Sequence, residues 1–371
     1  MPAKDFIRPC MDCRDAEAVL DTRKRQYCGN CFQRFAAHKV FTRMSKYKQM
    51  KRGTGQIPKL LLPLSLGVSS SVMLHIINGD LERQLAKTFV NVGFELTILV
   101  VDPSTILAPD SKYNQAYEAV TKAFPKLTFN RLPFHSVFEY IPDMKEIIQE
   151  YAGSSFTDDE SRSNEDRLTA FRASISTATS KADLDSVLLT RLVVGYAKSV
   201  GCETVIWGDS DTRLAAKTLA GVAKGRGASL TWSVSDGMSP WGVAFDFPLR
   251  DLSKPELEQF KSVCEELSDI VVPDEPISDN VLTKNLSIDE LMMRYVRTQG
   301  EKYRGVMANV SRTANKLEST SGSDDILCPL CGGHVGNVKG NSGVTVANQS
   351  SDNYSSKFCY GCMRSRPDST C

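Results

Sequence analysis

The stretch 59–77, KLLLPLSLGVSSSVMLHII, sets an apolar run before a short polar turn and a second apolar run with helical spacing. That order predicts a buried strand, a tight loop and a helix. In such a layout, backbone N–H groups and the positive end of a helix converge where a phosphate can sit. The turn is poor in glycine. Ser65, Gly67, Ser69 and Ser70 are the residues left to hold a nucleotide, and Leu66 stands where phosphate oxygens would suit bare backbone.

Outward from this turn the pattern alternates through 59–267. Strands are expected at 59–66, 94–102, 127–132 and 203–208, with helices at 70–89, 111–124 and 183–201. Strands separated by single helices predict βαβ units, hence an α/β fold with a doubly wound parallel sheet. Runs such as LTILVV and TVIWG are apolar throughout, as strands covered on both faces should be. Asp102 closes the second strand and is a candidate ribose or metal contact, or a plain strand-end turn. Three stretches break the pattern: an acidic insertion near 153–167, a linker at 318–325, and the segment 338–357, low in large apolar residues. The expected division is 1–55, 56–317 and 318–371, without a repeat of fixed period.

With 371 residues, 41% hydrophobic and 24% charged, the composition is that of a soluble globular protein. The sequence holds no apolar run of about eighteen residues, and its start, MPAKDFIRPC, lacks a secretory signal's apolar stretch. A cytoplasmic location without a membrane partner is expected.

Eight of the eleven cysteines form four Cys-x-x-Cys pairs. Cys10 and Cys13 are followed after fourteen residues by Cys28 and Cys31, a spacing suited to one tetrahedral Zn²⁺ in two knuckles. Ligation would supply folding free energy that so small a module cannot draw from burial. A redox dithiol is the competing reading, but it needs no second pair nearby. Cys328, Cys331, Cys359 and Cys362 form a second quartet, with a 27-residue spacer whose polar composition marks an inserted loop. Two structural zinc ions are therefore expected. His38 and His334 are spare donors that need no such role. Cys202, Cys264 and Cys371 belong to no motif.

The net charge of +1 conceals an asymmetry. Residues 1–55 hold thirteen Lys or Arg against five acids, a local balance of +8, so the remainder sums to −7. After Cys31, Arg34, Lys39, Arg43, Lys46, Lys48, Lys51 and Arg52 alternate with aromatic residues along a helical segment. Such a basic helix fits an RNA backbone, or is simply a solvated face.

The turn at 64–70 resembles the PP-loop of the ATP pyrophosphatases, Ser-Gly-Gly-x-Asp-Ser. Ser65, Gly67 and Ser70 match, while Leu66 replaces the first glycine and Ser69 the aspartate. Together with LSLGVSSSVML, WGDSDTRLAAKTL, GRGASLTW and the terminal CPLC and CYGC, nearly the whole chain resembles the cytoplasmic tRNA 2-thiolation protein 2 family. That family belongs to the tRNA thiolation branch of the PP-loop superfamily. The resemblance implies a partner of an intact, catalytic PP-loop thiolase, with tRNA as substrate and a ubiquitin-like carrier as sulfur source.

Thiolases of this branch carry a catalytic cysteine pair where 172–178 reads RASISTA. Their Gly-His-Asn-x-Asp-Asp motif is here Gly208, Asp209, Ser210 and Asp211. A serine hydroxyl stays protonated at neutral pH without an activating base and cannot replace a thiolate. Three separate losses imply a chain without catalytic residues, whose nucleotide loop is vestigial and whose ATP is handled by the partner. Two alternatives stay open: an ATP-dependent adenylating sulfurtransferase using Cys202, and a zinc-dependent RNA-binding module.

Overall fold

A computed structural model describes residues 8–49, 57–86, 93–105, 111–274, 286–317, 326–335 and 357–367. The linker at 318–325 and nearly all of 338–357 lie outside them, as do Lys51 and Arg52.

Eight strands occur among the described residues: β1 Leu20–Thr22, β2 Arg25–Tyr27, β3 Lys59–Pro63, β4 Glu95–Asp102, β5 Thr128–Pro133, β6 Thr204–Ile206, β7 Gly237–Met238 and β8 Ala244–Asp246. β1 and β2 form an antiparallel hairpin between the first two cysteine pairs. Its turn residues Arg23 and Lys24 both have positive φ, as a two-residue turn matched to strand twist requires. The other six strands form one sheet in the order β5-β4-β3-β6-β8-β7, parallel except for β7.

Pleating explains why these strands read as continuous apolar runs. Leu60 and Leu62 of β3 enter one core and Leu61 the other, and Ile98, Leu99 and Val100 of β4 divide in the same way. The helix Val68–Leu85 covers one face. The helix Ala178–Ser199, capped by the Thr177 side chain, carries Val193, Val194 and Ala197 into the opposite core. The direction in which successive strands are added reverses between β3 and β6, which makes their carboxyl ends the topological switch point, where ligands bind in open α/β sheets.

The terminal cysteine modules share the body's cores. Phe32 and Val40 cluster with Leu62, while Leu330 and Phe358 cluster with Tyr151 and Phe171. Arg23 of the hairpin is ion-paired to Glu256, which also closes the capping box of the helix Lys254–Ser262. The stretch 153–167 is more ordered than its polarity suggests. Ser163 caps the helix Asn164–Ser174, and Arg167 is buried in an ion pair with Asp158.

Candidate functional site

At the switch point, the carboxyl ends of β3 and β6 border a crevice of about 300 Å³. The loop after β3 supplies Ser65, Gly67, Ser69 and Ser70, and the segment after β6 supplies Gly208, Asp209 and Ser210. The two segments touch closely. A Cβ on Gly208 would lie 2.9 Å from the Ser70 Cα, so only glycine lets β6 end against the start of the helix.

Leu66 keeps the loop's path by an unexpected route. It adopts a left-handed φ of 59°, a conformation that favours glycine, and its side chain is fully buried in the core. The bulk expected among phosphate oxygens points away from them. The Leu66 carbonyl accepts from the Val272 N–H at 2.9 Å, which helps hold the conformation.

The loop's polar groups are largely turned on one another. The Ser65 and Ser70 hydroxyls lie 3.1 Å apart, Ser70 Oγ donates to the Gly67 carbonyl at 3.2 Å, and the Gly67 N–H reaches Ser65 Oγ at 3.4 Å. No side chain caps the helix at Gly67. Asp102 takes the strand-end role: one carboxylate oxygen accepts from the Ser104 N–H at 2.9 Å and the other is held by Arg131. Burial alone would raise its pKa, but Ser104 and Arg131 together hold it below the usual carboxylate range. Opposite the loop, Asp209 is engaged by Lys217, while Lys254 and Arg297 share Asp274.

Cysteine placement decides the chemistry of the crevice. Cys202 lies just before β6, at the amino end of the sheet, because Glu203 N bonds to the carbonyl of Lys59 at the start of β3. It is not among the residues that line the crevice. Cys264 Sγ sits 3.6 Å from His75 Nε2, whose Nδ1 faces Glu266 at 3.3 Å. One ligand atom from each of the three lies within 4.8 Å of the others, with Glu266 exposed, a smaller set than the cysteine quartets.

The eight paired cysteines do converge. Within each quartet, Cys10, Cys13, Cys28 and Cys31 or Cys328, Cys331, Cys359 and Cys362, the sulfurs all lie within 4.8 Å of one another. Cys13 and Cys28 are 3.9 Å apart, and Cys328 and Cys362 are 3.7 Å apart. A tetrahedron of sulfurs each about 2.3 Å from one ion has edges of about 3.8 Å. Each quartet thus fits a single metal ion. A guanidinium backs each set: Arg34 donates to Cys31 Sγ at 3.0 Å, and Arg226 reaches Cys362 Sγ at 3.5 Å.

Two cations of the basic helix also have acidic partners within the chain. Arg43 is bonded to Asp251 and Lys46 to Asp246, whose second oxygen takes the Tyr47 hydroxyl. These cations fasten the N-terminal module to the sheet. Arg34 is exposed, and Lys39 lies 5.8 Å over the Phe35 ring. Lys48 falls on the short helix Ser45–Gln49.

A parallel sheet that reverses beside this strand-loop-helix turn defines an α/β protein of the PP-loop class. Its fold matches that of the U34-tRNA thiolase NcsA from Methanococcus maripaludis with a TM-score of 0.56, at 14% identity, over 88% of this chain and 91% of that one. Among curated proteins, the chain is 52% identical to the cytoplasmic tRNA 2-thiolation protein 2 of Neosartorya fischeri over the full length of both. It is 42% identical to that of Coccidioides immitis over 97% of each. The model of that family matches residues 287–364. The chain belongs to the cytoplasmic tRNA 2-thiolation protein 2 family.

Proposed function

We propose that the chain is the non-catalytic, tRNA-binding subunit of a cytoplasmic complex that places sulfur on C2 of the wobble uridine of tRNAs. Its partner in a heterodimer is an intact PP-loop thiolase, which activates the uridine with ATP and receives sulfur from a ubiquitin-like carrier. Each quartet holds a structural zinc, in a chain divided as 1–55, 56–317 and 318–371. Arg34, Lys39 and Lys48, continuing into Lys51 and Arg52, meet the RNA backbone, while Arg43 and Lys46 hold the module that presents them.

One observation carries the non-catalytic reading: among the described residues, no cysteine outside the metal quartets lines the crevice. A sulfur-transfer step needs a thiolate there. The test is purification of the native complex followed by mass spectrometry, beside ATP turnover by the isolated chain. A co-purifying PP-loop protein with its cysteine pair intact, and no turnover by the chain alone, is the expected result. Turnover by the isolated chain would make it an enzyme.

A further inference from the structure

All three tryptophans of the chain, Trp207, Trp232 and Trp241, line one cavity of about 670 Å³. It joins the crevice through the shared walls Trp207, Arg213, Lys217 and Met293. Trp232 meets Trp241 edge to face at 5.0 Å, and Trp207 meets Phe245 at 5.4 Å. Lys217 lies over the Trp207 ring and Arg191 over that of Trp241, whereas among the described residues no cation lies over Trp232. Trp207 Nε1 is buried and meets no hydrogen-bond acceptor among the described residues.

Charge narrows the ligand further. The lining holds six basic side chains against four acidic ones, which disfavours a cationic guest in an aromatic cage. Arg172, Lys217, Lys224 and Arg226 have close acidic partners. Lys181 has none among the described residues, and Arg213, with a 58% exposed side chain, comes no closer than 3.9 Å to Asp209. What fits is a flat ring that stacks and carries negative charge beside it: a nucleobase with its phosphate.

We propose that this cavity receives an unstacked nucleobase of an RNA strand, with Trp232 as the stacking platform and Lys181 and Arg213 facing the flanking phosphates. The inference rests on the tRNA-binding reading above. A strand supplies it better than a free nucleotide does, because the neighbouring loop, where a triphosphate would lie, has its serine hydroxyls bonded internally.

The three tryptophans make the cavity its own reporter. Intrinsic tryptophan emission of the full-length chain is titrated with an anticodon stem-loop RNA and, separately, with UMP, while RNA affinity is read independently by filter binding. Saturable quenching that tracks RNA binding is expected, with little response to UMP. Trp232→Ala should weaken RNA binding about 5- to 150-fold, the worth of one base stacked on an aromatic ring, and Trp232→Phe should restore most of it. Lys181→Glu, at a partly exposed position on the helix surface, should weaken binding and shallow its salt dependence by about one unit. RNA binding with unchanged emission, and equal affinity in Trp232→Ala and Lys181→Glu, would overturn the cavity's role and leave tRNA binding standing. No RNA binding by the wild-type chain would overturn the tRNA-binding reading itself. Quenching by UMP but not by RNA would overturn the assignment to a strand.

Discussion

Replacing Asp183 with Asn should destabilise the protein by about 3–5 kcal/mol, because the change leaves buried charge without its counterion. Asp183 is 2% exposed and pairs with both Lys224 and Arg226. Its oxygen also accepts from Ser365 beside the last cysteine pair. Arg226 passes the link on to Cys362 Sγ, so one buried cluster ties the helix Ala178–Ser199 to the C-terminal cysteine module. Burial pushes the Asp183 pKa up, but Arg226 and Lys224 outweigh it and hold the carboxyl below its ordinary range. The stabilisation is therefore complete above the unfolded carboxylate's pKa, and is lost as pH falls through the depressed folded value. Urea unfolding of Asp183→Asn and Asp289→Asn measures the effect. Asp289 contacts the same Lys224 but has a 37% exposed side chain, so its loss should cost less than about 1 kcal/mol. Equal effects of the two changes would contradict the account.

Removing the metals should be as damaging. Structural zinc in isolated fingers contributes about 10–16 kcal/mol of apparent binding free energy, much of it folding free energy. Here the quartet sulfurs are themselves part of the cores: Cys28 and Cys31 cluster with Phe32 and Tyr27, and Cys331 and Cys362 with Leu330 and Phe358. Protein purified without chelator should contain two zinc ions per chain by elemental analysis, and Cys28→Ser should contain one and lose the N-terminal module's fold. One ion in the unaltered protein would reject the longer-spaced quartet. None would reject both.

The parts legible in the sequence are those whose cause is local. Ligand spacing at Cys10 and Cys13 is set by a single turn. β3 and β4 announce themselves because their central residues are buried on both faces, Leu60, Leu61 and Leu62 in one and Ile98, Leu99 and Val100 in the other. β8, with three residues, and the two-residue β7 are too short to show a period. The helix Asn164–Ser174 begins inside a run whose charges read as loop, and only the capping serine at 163 hints at it.

The tertiary destinations of side chains are not written locally. Lys46 meets Asp246, 200 residues away, so a basic helix that reads as an RNA surface spends part of its charge on docking. Leu66 carries no sign that it will adopt a left-handed backbone and bury its side chain. The three tryptophans are spread along 207–241 and meet only when β6 and β8 pair.

The central claim, that the loop after β3 preserves architecture and not catalysis, is tested most directly by Gly67→Asp. Gly67 has a φ of −75°, and a Cβ there meets only Ser65 Oγ, at 3.5 Å. The position is the uncapped N-cap of a helix, where aspartate is a favoured residue, so the variant should fold. A carboxylate at about 4 Å from a bound phosphate would oppose it by about 4 kcal/mol at an effective dielectric of about 20, enough to abolish a working nucleotide site. The measurement is wobble-uridine thiolation in cells carrying only this variant, read beside its stability and its partner contact. Thiolation near the wild-type level is the expected result, and loss of thiolation with fold and partner binding intact would contradict the account.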